Sequence, residues 1–409
     1  MSILSLDART KENKGNALAI GKEARDAKRI NPKVIDSTIG MLFDEEGKFC
    51  TFNVVGKATE TLSDLEKYSY GSTAGDPAYH EALYKWIFRQ YYEDFKNNLH
   101  LRCIATPGGS GAICNTFSNY LNDGDKVLIP SLMWTNYIQI AKEEHLGYET
   151  YELFNSEGGF NLDDFKAKCI KLKKEQNRVV VVINDPCQNP TGYSMSYEEW
   201  KELVNILNEV SQNNTPVVLL YDLAYIDYDK RGFDASRKNF KLFENLNDNV
   251  LAILAFSGSK TLGLYGLRIG AQVCLAQTKE AADEFMNAND YSARGKWSMT
   301  SVLGQNLITK IFNEYNEEFI YELENTRKLL IDRANLFLNE AKKVGLKHYP
   351  YDCGFFVTIP CDNVDAVNVK LKEKGLYVIP LKVGIRLTLS SITLDEVKRA
   401  VKIIKEVIV

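Results

Sequence analysis

The sequence predicts an α/β fold, with a three-layer α/β/α large domain around a mostly parallel sheet and a smaller α/β domain. Two observations support this prediction. Short apolar runs without polar alternation, typical of strands covered on both faces, alternate along the chain with longer amphipathic stretches. The chain has 409 residues, more than a single hydrophobic core usually holds, so a second domain is expected.

The predicted strands of the large domain are short apolar runs that lack polar alternation. They cover residues 126–130, 178–185, 216–222, 249–257 and 270–276. Between them lie amphipathic stretches such as 196–213, where Ser196 is expected to cap a helix and Glu198 and Glu199 follow in its first turn. Because the runs are apolar throughout, they indicate a parallel sheet with helices on both faces.

The pattern changes after about residue 300. Residues 309–345 are predicted as one long helix. The elements predicted after it are strands at 354–360, 376–380 and 385–391, a helix at about 363–374, and a terminal helix. We therefore expect a large domain at 55–305 and a small domain formed by 1–54 and 306–409.

Charge and composition indicate small-molecule partners. The chain is 45% hydrophobic and 25% charged, as is usual for globular proteins. Its 50 basic and 54 acidic residues are well mixed and give a formal net charge of −4. Neither nucleic acid nor a membrane surface is expected as a partner, because both call for a basic patch.

Cysteine spacing and the N-terminal sequence indicate a cytoplasmic protein without a metal site. The eight cysteines are scattered, with no CxxC pair and no histidine at zinc-ligand spacing, so reduced and mostly buried thiols are expected. The first residues become charged too early for a signal peptide, and no later apolar run approaches membrane-spanning length.

Polar residues follow the predicted strands at their carboxyl ends, where ligands bind in open α/β sheets. The turn that contains Gly109, Ser110 and Gly111 opens a helix, so its amides could hold an anion. An ordinary strand-to-helix turn explains these glycines equally well. The turn matches neither the dinucleotide-binding fingerprint nor the P-loop, which argues against both kinds of site.

Five further candidate residues follow later strands in order. Asn189 lies in an NPTG segment, Asp222 ends a strand three residues before Tyr225, and Lys260 follows the next strand among small residues. Taken one at a time, they also suit a capped turn, a helix cap and a solvated loop lysine, and Arg268 suits a surface arginine. The prediction of a functional site depends on all of these residues occurring in order after successive strands.

Six segments, GGSGA, WTN, NPTG, YDLAY, SGSK and GLRIG, occur in this order and resemble the aminotransferase class I/II family of fold type I pyridoxal-phosphate enzymes. The resemblance runs from about Gly40 to Arg386, and its motifs are closest to the aspartate and aromatic subgroup. It implies pyridoxal 5'-phosphate as cofactor. It also implies a ping-pong transfer of an amino group to a 2-oxo acid through a Schiff base on Lys260.

The resemblance assigns two sets of cofactor contacts. One set would bind the phosphate, with the planar fork of an arginine among the donors. Its members are Gly109, Ser110, Gly111, Ser257 and Arg268. The other set would bind the ring: Trp134 by stacking, Asp222 at the ring nitrogen, and Asn189 and Tyr225 at the phenolic oxygen. Catalysis is assigned to Lys260, Asp222 and Tyr225, and the small neighbours of Lys260 are expected to leave room for the ring.

Substrate contacts and a homodimer with shared active sites are also implied. Arg386 would bind the α-carboxylate of the amino acid, with Gly40, Trp134 and Asn189 nearby. Arg294 would bind a distal carboxylate across the dimer, and Tyr70 would reach the phosphate of the partner subunit.

Three alternatives stay open on the sequence. A carbon–sulfur lyase and a decarboxylase share the scaffold, and a lyase would release pyruvate and ammonia without a 2-oxo acid. A non-catalytic regulatory domain is the third, although the residues before Gly40 are too few for a DNA-binding module.

Overall fold

The structure is a computed structural model that describes residues 2–11 and 17–408. The helices are α1 Ala17–Ile30, α2 Asn53–Thr61, α3 Asp64–Tyr68, α4 Pro77–Phe88, α5 Tyr92–Asn98, α6 Gly108–Tyr120, α7 Asn136–Glu143, α8 Leu162–Gln176, α9 Tyr197–Val210, α10 Gly258–Thr261, α11 Lys279–Lys296, α12 Val302–Glu314, α13 Asn316–Val344, α14 Val364–Glu373 and α15 Leu394–Ile408. The strands are β1 Ile35–Asp36, β2 His100–Thr106, β3 Lys126–Pro130, β4 Gly147–Tyr151, β5 Val179–Asn184, β6 Val217–Asp222, β7 Val250–Ser257, β8 Gly270–Ala276, β9 Phe356–Pro360, β10 Leu376–Tyr377, β11 Ile379–Leu381 and β12 Gly384–Thr388.

The chain divides into two compact units. The larger comprises Cys50–Ile331 and Pro350–Gly354. The smaller comprises Met1–Phe49, Asp332–Tyr349 and Phe355–Val409. The division therefore falls inside α13, and the domain bounds 55–305, 1–54 and 306–409 stay a prediction.

The larger unit is built on a seven-stranded sheet of order β2-β8-β7-β6-β5-β3-β4. The strands from β7 to β4 pair in parallel, which confirms the predicted α/β class with a mostly parallel sheet. Strand β8 is antiparallel to both neighbours, so its grouping with the parallel strands was wrong. The connection from β7 contains only the four-residue helix α10, and a parallel crossover needs a longer one.

Alternate residues of the central strands face opposite sides of this sheet. On one side, Val182 of β5 and Leu220 of β6 join a core with Ile113 and Phe117 of α6. On the other side, the ring centroid of Tyr221 lies 4.5 Å from that of Trp200 in α9. Helices thus cover both faces, as the continuous apolar runs predicted.

The sequence predicted the start of α9 correctly but missed the break between α12 and α13. Helix α9 begins after Ser196, whose hydroxyl accepts from the Glu199 amide in a capping box, as expected. The single helix predicted for 309–345 was wrong, because α12 ends at Glu314 and α13 begins at Asn316. Tyr315, with φ −117° and ψ 21°, leaves the helical region, while the apolar spacing continues across the break and conceals it.

The smaller unit contains a three-stranded antiparallel sheet of order β11-β12-β9 and the parallel pair β1-β10. Its elements after Gly354 follow the predicted order of strand, helix, strands and terminal helix. All eight cysteines are free thiols, five of them buried. Among the residues that the structure describes, no helix has the length and hydropathy to span a membrane. A cytoplasmic location stays a prediction.

Candidate active site

The carboxyl ends of β5 and β6 bring the first candidate residues together. Asn184 and Asp222 are register partners in these parallel strands, and the Asn184 Nδ2 donates to the Asp222 carbonyl at 3.0 Å. The backbone N–H of Asn189 donates to the Asn184 Oδ1 at 2.8 Å. Asn184 therefore holds the NPTG loop, which carries Asn189, against the strand that ends in Asp222.

Asp222 is a buried carboxylate, 6% exposed. Its Oδ2 accepts from the Tyr137 hydroxyl at 2.6 Å, and its Oδ1 accepts from the Ala224 amide at 3.0 Å. Burial raises the pKa of Asp222, and these two hydrogen bonds counteract that rise. No lysine or arginine of the described chain forms an ion pair with it. This environment suits a cationic partner that would keep the carboxylate ionised.

Tyr137 is the partner of Asp222 that sequence reasoning missed. Its side chain is fully buried, and burial together with the Asp222 carboxylate raises the pKa of the phenol far above its usual value. The phenol therefore stays a proton donor. Trp134 lies three residues earlier, just before α7, and packs edge-on against Tyr137, with ring centroids 5.5 Å apart. That spacing was the only signal in the sequence.

Lys260 lies in the short helix α10, directly after β7. Its Nζ lies 4.8 Å from the centroid of the Tyr265 ring and 5.7 Å from that of Tyr225. The small neighbour Gly258 has a packing reason, because a Cβ there would lie 3.1 Å from the side chain and carbonyl of Ile269. The glycine thus lets α10 pack against the chain that returns into β8.

The start of α6 and Arg268 form a polar cradle. Gly108 has φ +71°, and a Cβ built on it would lie 2.7 Å from the Arg268 Nη2. The Arg268 Nη1 donates to the Ser259 Oγ and to the Tyr265 carbonyl, both at 3.0 Å. A Cβ on Gly109 would lie 3.6 Å from that of Ser257. Helix-terminal amides and a guanidinium in one place make a site for an anion such as a phosphate.

Two of the predicted phosphate ligands differ in their surroundings. Ser110 is half-buried in the first turn of α6, as a ligand at a helix N-terminus would be. Gly111 is buried, and a Cβ on it would lie 2.4 Å from the Pro107 Cδ. Packing against Pro107 is therefore enough to require a glycine at 111.

Arg386 and the segment before Gly40 meet in the smaller unit. The Arg386 Nη2 donates to the Thr38 carbonyl at 2.9 Å, two residues before Gly40. Its guanidinium lies 4.1 Å from the centroid of the Phe356 ring, and the residue is 9% exposed. Strand β12 and the segment at Thr38 thus hold a nearly buried cation.

The structure does not bring Tyr70 and Arg294 to the residues around Lys260. Tyr70 is 96% exposed. Arg294 is exposed near the end of α11, where its Nη1 donates to the Ser298 Oγ at 2.8 Å. Both were predicted to act across a dimer, so a role for them stays a prediction.

Comparisons with known proteins identify the family. The model of the aminotransferase class I and II family matches residues 32–404. The aspartate aminotransferase of Escherichia coli is 26% identical over 319 residues, 77% of this chain and 78% of that protein. The tyrosine aminotransferase of Rhizobium meliloti is 26% identical over 355 residues, 85% and 87% of the two chains.

Solved structures agree in fold. An aminotransferase from Anaerococcus prevotii has a TM-score of 0.94 and 30% identity, with 100% of both chains covered. The aromatic-amino-acid aminotransferase of Burkholderia pseudomallei, covalently bound to pyridoxal phosphate, has a TM-score of 0.80 and 21% identity over 99% of this chain and 100% of that one. This chain belongs to the aminotransferase class I and II family. It is a pyridoxal-phosphate-dependent aminotransferase that acts on amino acids and 2-oxo acids.

Proposed function

We propose that the protein transfers the amino group of aspartate, glutamate or an aromatic L-amino acid to a 2-oxo acid, as a homodimer, with Lys260 as the cofactor lysine. The observation that carries the assignment of Lys260 is the arrangement around it: a buried carboxylate at Asp222 and an anion cradle at Arg268. Aspartate and the aromatic amino acids come from the names of relatives, which include aspartate, tyrosine and aromatic-amino-acid aminotransferases at 24–27% identity. Glutamate is added because it carries the same side-chain carboxylate as aspartate.

The residues fit pyridoxal phosphate in charge and in donor type. The start of α6, Ser257 and Arg268 would hold the phosphate dianion, and Gly108 leaves the space that a side chain would fill. Asp222 would pair with the protonated ring nitrogen, which would supply a cation to its buried carboxylate. Asn189 and Tyr225 would donate hydrogen bonds to the phenolic oxygen, and Trp134 would cover one face of the ring. When bound, the cofactor supplies an electron sink for the charge that develops at the substrate Cα.

Lys260 would act as the base of the reaction. Its Nζ would take the proton from the substrate Cα, and the rings of Tyr225 and Tyr265 beside it would restrict the positions that the Nζ can adopt. Asp222 would contribute as the carboxylate that favours the protonated form of the ring nitrogen. The Tyr137 hydroxyl stabilises this carboxylate through its hydrogen bond to Oδ2.

Substrate recognition would depend on two arginines. Arg386 would bind the α-carboxylate in a bidentate contact, since the Thr38 carbonyl and the Phe356 ring already fix the direction of its guanidinium. Gly40, Trp134 and Asn189 would also face the substrate. Arg294 would bind the distal carboxylate in the neighbouring active site of the dimer, and its exposure leaves it available for that contact. Tyr70 would reach the neighbouring phosphate in the same way.

The half-reaction tests this proposal directly. Purified protein loaded with pyridoxal phosphate is mixed with each common amino acid in turn, and the change in visible absorbance is recorded, followed by a screen of 2-oxo acids. We expect changes with aspartate, glutamate, tyrosine and phenylalanine, reversed by the matching 2-oxo acids. Release of pyruvate and ammonia without an acceptor, or the absence of cofactor binding at saturation, would contradict the proposal.

Arg294→Ala separates dicarboxylic from aromatic recognition. A charge-assisted contact is typically worth about 1.5–3 kcal/mol, so kcat/KM for aspartate and glutamate should fall roughly tenfold to a hundredfold. Tyrosine should be affected far less, because its ring needs apolar surface. Arg29→Ala removes an exposed arginine from the last turn of α1 and serves as the control. Equal losses for aspartate, glutamate and tyrosine would refute the role of Arg294.

A further inference from the structure

The segment that follows Tyr225 contains a fully buried ion pair. The side chains of Asp227 and Arg237 are both inaccessible to solvent, and the Arg237 Nη2 donates to the Asp227 Oδ1. The Arg237 Nη1 also donates to the Ser236 Oγ at 2.8 Å and to the Ile226 carbonyl at 3.2 Å. Removing two charges from water costs free energy, and this cost can cancel the attraction between them. The pair therefore need not stabilise the fold by itself. Asp227 also contacts the helix α10.

Asp227 and its neighbour Tyr228 both bind the helix that carries Lys260. The Thr261 hydroxyl donates to the Asp227 Oδ2 at 2.7 Å. The Tyr228 hydroxyl donates to the backbone carbonyl of Lys260 at 2.9 Å. Two adjacent residues of one segment thus hold two adjacent residues of the other, which fixes both the position and the rotation of α10.

Helix α10 depends on such contacts because it is short. It has four residues, and a single helical turn is not stable by itself in water. Tertiary contacts at the Lys260 backbone and at Thr261 therefore contribute to the direction of the Lys260 side chain. The segment that provides them begins at Asp222 and includes Tyr225, so one short stretch of chain carries the carboxylate and also anchors the lysine.

The Thr261 contact is unusual for a helical threonine in this protein. Thr116, Thr309 and Thr326 each donate to the carbonyl four residues earlier in their own helix. This local bond is the ordinary way to satisfy a threonine hydroxyl in a helix. Thr261 instead donates to a side chain 34 positions away in sequence, and the Trp86 Nε1 donates to the same carboxylate oxygen at 3.3 Å.

We infer that Asp227 and Tyr228 are positioning residues, which hold Lys260 at the distance and angle to Tyr225 and Asp222 that the transfer reaction needs. The inference rests on the proposed role of Lys260 as cofactor lysine. Asp227 acts through the Thr261 hydroxyl, and the Arg237 guanidinium holds the Asp227 side chain in place through its hydrogen bond to Oδ1. A displacement of the reacting amine by a fraction of an ångström is enough to slow a step that depends on alignment.

Thr261→Val tests the inference, because it removes the hydroxyl and keeps the size and branching of the side chain. In the pyridoxal-phosphate-loaded enzyme we expect kcat to fall about tenfold while KM for the amino acid changes by less than about twofold. The visible circular dichroism of the bound cofactor should weaken, since the lysine no longer fixes its orientation. Thr261→Ser should restore both readouts.

Two further variants complete the design. Tyr228→Phe removes the hydrogen bond to the Lys260 carbonyl and leaves the Asp227–Arg237 ion pair intact, so kcat and the circular dichroism should again fall. This variant tests the inference if Thr261→Val does not fold. Thr215→Val is the matched control: Thr215 is buried, its hydroxyl donates to the Gln212 carbonyl at 3.2 Å, and it precedes the opposite end of β6 from Asp222. It should change neither readout.

Lys260→Ala separates failure of this inference from failure of the proposed function. If Lys260→Ala loses borohydride-fixable cofactor while Thr261→Val and Tyr228→Phe keep wild-type kcat and circular dichroism, the anchors have no positioning role. If Lys260→Ala keeps that property, the assignment of the lysine fails and the inference fails with it.

Discussion

The two ends of the candidate active site differ in exposure and in the groups that build them. At the open end, backbone amides at the start of α6 lie beside the exposed guanidinium of Arg268. At the buried end, the Asp222 carboxylate and the Tyr137 phenol are enclosed by the sheet core. Water screens a charge at the open end, whereas each hydrogen bond at the buried end acts in a low dielectric. We therefore expect changes at the buried end to affect turnover, and changes at the open end to affect cofactor affinity.

Asp222→Ala should have the largest effect. The variant should still bind pyridoxal phosphate through the open end, but kcat should fall about a thousandfold, as when a preorganised charge is removed from a transition state. Stopped-flow measurement of Cα proton removal checks this. Asp185→Asn is the control, because Asp185 is equally buried but accepts from the Trp200 Nε1 and the Met195 amide. Near-wild-type turnover in Asp222→Ala would mean that the two ends do not differ as described.

Arg268→Ala should weaken cofactor binding without a comparable loss of turnover. One charge-assisted contact to phosphate is worth about 1.5–3 kcal/mol, so the Kd of the cofactor should rise roughly tenfold to a hundredfold. Fluorescence titration of apoenzyme measures this, and the difference from wild type should shrink as salt is added. A loss of kcat at saturating cofactor, with Kd unchanged, would place Arg268 with the buried group instead.

Comparing Gly108→Ala with Gly124→Ala tests whether the contact between Gly108 and Arg268 affects cofactor binding at the open end. Both glycines have positive φ, so either substitution should lower the free energy of unfolding by about 1–2 kcal/mol. Only the alanine at 108 would approach Arg268, because nothing lies within 4 Å of a Cβ at 124. Cofactor Kd should thus rise about threefold to tenfold in Gly108→Ala alone. Equal effects of the two on Kd would show that backbone strain, not Arg268, is responsible.

Tyr137→Phe should have the smallest effect and should appear as a shift with pH. The Tyr137 hydrogen bond lowers the pKa of Asp222, so its removal lets burial raise that pKa further. The carboxylate is then protonated at higher pH, and the acidic limb of the kcat profile should move upward by about half to one pH unit. Tyr151→Phe, which loses a buried hydrogen bond to the Val182 carbonyl, should leave the limb in place. A shift to lower pH would contradict the sign.

The difference between the two ends also separates what the sequence could predict from what it could not. Gly109, Ser257 and Arg268 belong to short motifs, and their grouping follows from strand ends that meet at one edge of a sheet. Tyr137 contacts Asp222 across 85 positions and occupies a helix position that reads as ordinary core. Pairwise contacts of this kind leave no periodic signal in a single sequence.

The fold shows the same limit in two places. The class and most strands were predicted, because burial on both faces leaves continuous apolar runs. The direction of β8 was not, since an antiparallel strand buried on both faces has the same composition as a parallel one. The break at Tyr315 was missed because the apolar spacing continues across it, and in the structure the Tyr315 backbone still bonds to Ile311 and Phe319.

The position of β2 at the sheet edge affects how the chain folds during synthesis. Among the strands that the structure describes, it is hydrogen-bonded to β8 alone, which pairs His100 with Ala276 and Thr106 with Gly270. In this sheet β2 is synthesised first and β8 last, so β2 cannot pair with its neighbour until β8 has left the ribosome. At typical elongation rates of about 5–20 residues per second, that delay is on the order of ten to thirty seconds, during which the backbone amides and carbonyls of β2 have no partner strand. A nascent chain in this interval has an open strand edge, the feature that chaperones shield from association with other chains.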